Sequence, residues 1–266
     1  MTAASLPAPP YVPPRFEPER DASGEIIYPS TDGLPMAWTT KHYDLLTYIK
    51  DGLEVFLADR DDVFVAGDLF WYPVEGHPEI VVAPDVFVAV GRPKGPRRSY
   101  RQWVEGGVAP QVVFEVLSEG NTANEMVKKM GFYTRHGVQE YVIFDPDDPS
   151  LEIWARQGDA LLPVDDAQGW TSPTLGITYW IAEDKSLYLV KPDGQRLLTH
   201  IEQAKRAETE RERAETERER AETEKQRAET ERERAETERE RAETERERAE
   251  KLAAKLRAAG IDLDEA

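Results

Sequence analysis

The chain has 266 residues, of which 52 are acidic and 34 basic, 39% are hydrophobic, and none is cysteine. This excludes a disulfide scaffold, a cysteine zinc site and thiol chemistry, and fits a cytoplasmic protein; no apolar run approaches the roughly 20 residues of a membrane span. The acidic surplus argues against broad attraction to nucleic acid or anionic lipid, so any nucleic-acid role must rest on a local basic patch.

Residues 1–34, beginning MTAASLPAPPYVPPRF, read as an extended Pro-rich arm without a signal pattern. Residues 35–198 form the globular part. A helix is predicted over 38–57, where Leu45, Leu46, Ile49, Leu53 and Phe56 recur near 3.6-residue spacing and Thr39 or Thr40 can cap the start. Short β-rich stretches follow at 63–74, 80–90 and 111–118, broken by Gly, Pro and Asp. Residues 122–136 read as a second helix, opened by the capping-box pattern Thr122-x-x-Glu125 and stopped at Gly137. Further strands are predicted at 140–145, 151–156, 161–164, 177–181 and 187–190. Strands with few helices in this order give an α+β fold, a sheet flanked by few helices.

Residues 199–260 form a charged helix, followed by a short tail at 261–266. From Ala207 to Arg248 the repeat is AETERER with a period of seven, one copy reading AETEKQR. Placing Ala at one coiled-coil core position puts Glu at the other, a poor seam. Ion pairing is better served: Glu208–Arg211 at i,i+3 and Arg211–Glu215 at i,i+4 contribute about 0.2–0.5 kcal/mol each. The repeats make a helix of roughly 63 Å. Ala249, Leu252, Leu256 and Ala259 continue the frame before Gly260. A solvated spacer is the first reading; the alternatives are a helix that pairs weakly in a homodimer or one that holds a protein partner.

Three residues carry candidate chemistry. Glu115 interrupts the apolar run Val112–Leu117, where an ionised carboxylate costs several kcal/mol unless paired or metal-bound. An acid paired to a core cation, or facing outward from an edge strand, would explain it equally. Asp85 stands in the same position within 80–90. If the two strands are neighbours, the carboxylates converge, and such hard oxygen ligands suit Mg²⁺ or Mn²⁺. On the second helix, a wheel at 100° per residue puts Met126, Met130 and Tyr133 on the buried stripe, turns Lys129 toward it and points Lys128 to solvent. An inward lysine beside two acids can neutralise them or orient a water; it can also be a snorkelling side chain. Arg92, Lys94, Arg97, Arg98 and Arg101, near Tyr100 and Trp103, make a dense basic loop that could hold DNA phosphates over the site, or merely balance an acidic domain. His42, beside Lys41, and Asp68 are secondary candidates. No phosphate-binding Gly-rich loop, serine elbow or metal-spaced histidines occur.

The stretch GDLFWYPVEG…APDVFVAVGRPKG…SYRQW…PQVVFEVLSEGNT…EM…K…Y…GVQEYVIFDP resembles the bacterial Uma-type family of restriction-endonuclease domains over roughly residues 35–190. The family is placed in the PD-(D/E)XK nuclease superfamily. The resemblance implies a restriction-endonuclease-like fold, a mixed sheet flanked by helices, and Mg²⁺-dependent hydrolysis of DNA phosphodiester bonds. By it, Asp85 and Glu115, with the backbone carbonyl of Val116, are the metal ligands and Lys129 is the catalytic lysine. In the superfamily pattern a lysine stands two residues after the glutamate; here that residue is Leu117, and the lysine comes from the next helix.

Overall fold

The structure is a computed structural model and describes residues 18–30, 39–118 and 120–258. Most of the predicted arm lies outside those residues. The part within them corrects the reading of 1–34 as extended: residues 19–27 form a hairpin closed by Ile27 N–H to Glu19 O and Gly24 N–H to Asp21 O. Tyr28 then packs on Tyr72 and Trp103, with ring centroids 5.3 and 5.0 Å away. Ser23-Gly24 supplies the turn, Gly24 adopting φ +87°.

Helix α1 spans Thr40–Phe56, and the Thr39 hydroxyl accepts the His42 amide at its start. It lies on one face of a six-stranded mixed sheet of order β1-β3-β5-β6-β7-β8. These strands are β1 (Val63–Gly67), β3 (Val86–Val90), β5 (Val112–Val116), β6 (Glu140–Asp145), β7 (Ser150–Gln157) and β8 (Ala160–Pro163). All neighbours are antiparallel except β5 and β6, whose parallel pairing requires the crossover supplied by helix α2 (Ala123–His136). Alternation along the strands splits the core in two. Val86, Val88, Val112, Phe114 and Val116 pack with Leu46, Ile49 and Leu53 of α1 and with the hairpin β9 (Thr178–Ile181)–β10 (Leu187–Val190). Phe87, Ala89, Val113 and Tyr141 face α2 and the short pair β2 (Trp71–Tyr72)–β4 (Tyr100–Arg101).

The stretch 80–90 is not one strand. Val82 bridges Trp71, Pro84 offers no amide to a ladder, and β3 begins only at Val86, so Asp85 sits at a bend just before it. Strand β4 escaped the sequence reading because two residues carry no period.

Helix α2 ends at Gly137, whose φ of +97° is the left-handed cap. A Cβ there would make only ordinary contact with Ala109, at 3.5 Å, so the cost of a side chain is backbone strain. Gly137→Ala is expected to lower stability by about 1–2 kcal/mol, measured by urea unfolding; an unchanged midpoint would refute the cap's role.

The chain divides into two units, residues 1–202 and 203–266. Helix α3 spans His200–Ala258. Its first turn is a capping box: Thr199 N–H and Oγ1 donate to Glu202, and Glu202 N–H donates back to Thr199 Oγ1. In each repeat the threonine hydroxyl donates to the carbonyl four residues earlier, Thr209 to Lys205 and Thr244 to Glu240 being the first and last. The repeats are exposed all round. Leu252 is also exposed; Ala259, Gly260 and residues 261–266 lie outside the described residues. Among the described residues no helix is long and apolar enough to cross a membrane.

Candidate active site

Strands β3 and β5 are antiparallel with Val86 opposite Phe114, so one further step sets Asp85 opposite Glu115. The ladder is not continued there. The Asp85 carboxylate replaces the missing strand bond, Oδ2 accepting the Val116 amide at 2.7 Å. On the other side Leu117 N–H donates to Phe144 O of β6. Because a strand residue's amide and carbonyl point the same way, the Val116 carbonyl faces the Asp85 side as well. Asp85 Oδ1 lies 3.6 Å from Nε2 of buried His42 on α1. Just after β1, Asp68 stands next in the row: its amide donates to Asp85 O, its φ is +46° and it is exposed.

Glu115 is 3% exposed and points to the α2 face. Two donors one helical turn apart descend onto it. Lys129 Nζ reaches Oε2 at 2.8 Å and the Tyr133 hydroxyl reaches Oε1 at 2.5 Å. Burial raises the Glu115 carboxyl, Lys129 pulls it down and the Asp85 charge raises it again, leaving it pushed up to about 7. Burial works against the Lys129 ammonium, but Glu115 more than offsets that, holding its pKa above the ordinary lysine value. Lys128, its neighbour, is exposed. Asp85, Glu115, Val116 and Lys129 thus meet at one end of the sheet, joined by His42 and Tyr133. On the sequence alone Tyr133 is only part of the buried stripe; its i+4 spacing from Lys129 was the available signal.

The basic loop is elsewhere. From Asp85 to Gly91 the chain runs the length of β3, about 20 Å, so the loop leaves from the opposite end of the strand; there Gly91 and Arg92 amides bond Asp62 O. Three of its five cations are engaged by the protein. Arg92 and Arg97 both donate to Glu105, which is 8% exposed, and the Arg97 guanidinium lies 3.8 Å from the Phe64 ring centroid. Lys94 caps the carbonyls that follow α1, at Leu57 and Ala58. Arg98 and Arg101 are exposed, Arg101 near the Tyr28 ring. The expectation that all five lie over the acid pair is therefore corrected: the anchoring acid Glu105, not a phosphate, organises the loop. Lys41 points away from the site, to Pro146 O and Asp147.

The family model that matches the chain is Uma2, "Putative restriction endonuclease", over residues 22–182. Among solved structures, the chain is similar to a "putative nuclease belonging to DUF820" from Anabaena variabilis ATCC 29413, at 16% identity and a TM-score of 0.41, covering 58% of this chain and 80% of that one. No curated protein matches.

Proposed function

The chain belongs to the Uma2 family, and from that premise we propose that it is a Mg²⁺- or Mn²⁺-dependent endonuclease hydrolysing DNA phosphodiester bonds. The observation that carries this reading is the meeting of Asp85, Glu115 and Lys129 at one end of the sheet, two acids and a base brought from the bend before β3, from β5 and from α2. The donors fit a hard divalent ion. They are two carboxylates and the Val116 carbonyl, and Asp85 Oδ2 and both Glu115 oxygens keep a second lone pair beyond the bond each accepts. One or two carboxylates suffice for Mg²⁺, an ion that keeps several of its waters; among the described residues no group of three or more His, Asp or Glu is arranged to hold a metal ion by itself. Such an ion, when bound, supplies a Lewis acid for the phosphoryl oxygen and a lowered pKa for water.

The protein's own groups do the rest. Asp85, fixed by the Val116 amide, presents its remaining lone pairs away from the strand bond. Lys129 is short of solvent and tied to Glu115, so its ammonium can orient the attacking water and neutralise charge gathering on the scissile phosphate. Exposed Arg98 and Arg101 remain as cations for the DNA backbone.

The test is nicking of supercoiled plasmid in Mg²⁺ or Mn²⁺ by the full chain. Metal-dependent nicking is expected, falling by at least about 100-fold in Asp85→Ala. A folded protein that nicks with neither metal would overturn the reading. One observation favours an alternative in that event: residues 1–200 carry 30 acids against 17 bases, and three loop cations are satisfied internally. The chain would then be a catalytically silent binding or assembly module that works through α3.

A further inference from the structure

Glu115 is held by two donors of different character. Lys129 is a long side chain at the edge of the core, with 17% of it exposed. Tyr133 is fully buried and has only two side-chain torsions. Its ring is fixed on three sides: stacked on Trp71 of β2 at 6.3 Å and 3°, met edge-on by Tyr141 of β6 at 4.9 Å, and flanked by Phe132 at 6.0 Å. The position of its hydroxyl is therefore set by packing from β2, β6 and α2 together. Among the described residues, the Lys129 ammonium is tethered by Glu115 itself.

That difference matters for a group expected to act on water. An ammonium that swings from the carboxylate to a water or a phosphate oxygen lets go of Glu115 Oε2. A carboxylate held by that ammonium alone would then be free to rotate, and a ligand oxygen displaced by even an ångström is a poor ligand. A neutral, rigid donor on Oε1 keeps the carboxylate plane in place throughout, and it leaves the negative charge for a cation. We propose that Tyr133 is a positioning residue that fixes Glu115 for divalent-metal binding independently of Lys129. The inference rests on the metal-dependent reading above. It assigns to the buried hydroxyl a role that goes beyond satisfying an acid in the core.

Tyr141 provides the control. It belongs to the same ring stack and is equally buried, yet its hydroxyl has no hydrogen-bond partner among the described residues. Tyr133→Phe and Tyr141→Phe each delete one oxygen from the stack, but only the first touches Glu115.

The experiment is Mn²⁺ binding to the full chain, followed by electron paramagnetic resonance of the free ion, with kcat and KM for plasmid nicking measured alongside. Y133F is expected to bind Mn²⁺ about 10–100-fold more weakly than the wild type. Its kcat should fall in step while KM for the plasmid stays unchanged, and Y141F should match the wild type. Wild-type affinity in Y133F would overturn the inference and leave the metal reading standing. So would an equal loss in Y141F, which would reduce the effect to packing of the stack. A wild type that binds no Mn²⁺ would overturn the metal reading first, and this inference with it. If Y133F does not fold, 4-fluorophenylalanine at position 133 keeps the ring and fills the place of the oxygen while removing the O–H donor to Glu115. Weakened Mn²⁺ binding then supports the role and unchanged binding refutes it.

Discussion

Lys129→Met is expected to abolish nicking and to destabilise the fold in a pH-dependent way. The two effects have one source. Glu115 is 3% exposed and its charge is balanced chiefly by the Lys129 ammonium at 2.8 Å. Breaking a buried pair by removing one partner typically costs about 3–5 kcal/mol, because the other charge is left uncompensated. The sign of the pH dependence follows from the raised carboxyl. Glu115 titrates at about 7 in the fold against an ordinary value of 4.5. Between those values the unfolded chain gives up the proton first, so stability falls as pH rises through that window and levels off above it. Without Lys129 the folded value moves higher still and the decline continues to higher pH. The variant should therefore be close to the wild type at pH 5 and fall furthest behind at pH 8, by urea unfolding. An equal deficit at both would refute the charge argument. Nicking should drop by about 10²–10⁴-fold. Lys129→Arg separates the roles: it keeps the positive charge, and so most of the stability, while replacing a compact ammonium with a planar group whose donors cannot take the same place beside the water, so nicking should stay low.

The second large effect is expected away from the acid pair. Arg97 is 12% exposed at its side chain; it donates to both oxygens of Glu105 and to the carbonyls of Gly95 and Pro93, and it covers the Phe64 ring. Arg97 holds the Glu105 carboxyl below its usual range, with Arg92 assisting. Arg97→Ala should cost about 2–3 kcal/mol, since Glu105 loses its main partner and keeps only Arg92 and the Phe64 ring is uncovered, yet leave the salt dependence of DNA affinity unchanged. Arg98→Ala and Arg101→Ala should do the reverse. Stability should stay within about 0.5 kcal/mol, and the slope of log affinity against log salt should shrink by about 0.9 for each phosphate no longer neutralised. Fluorescence anisotropy with a DNA duplex at several salt concentrations, beside urea unfolding, distinguishes the two classes. A stable Arg97→Ala variant with a reduced slope would return that cation to the DNA interface.

What could be read from the sequence was what repeats or alternates. The wheel of α2 turned Lys129 and Tyr133 to one face because Met126, Met130 and Tyr133 mark the buried stripe, and the apolar run of β5 exposed Glu115 as an anomaly. The heptads were plain for the same reason. Partners set by long-range approach were not readable. Asp85 bonding the Val116 amide depends on where Pro84 ends a ladder, His42 on how α1 crosses β3, and Arg97 on Phe64 and Glu105 coming together across a turn. The five loop cations look alike as letters. Only the fold separates those spent on Glu105 and the end of α1 from those facing water.

The threonines of α3 return their hydroxyls to the preceding turn in every repeat, so each seven-residue unit makes the same bond back to the unit or turn before it. One unit adds about 10.5 Å of rise and falls roughly 20° short of two full turns. Deleting or duplicating one AETERER unit would leave every remaining repeat with neighbours of the same kind. The distance between the ends of this helix is thus graduated, changing in whole-number increments of nearly fixed length and small, cumulative rotation, much as divisions are added to a ruler.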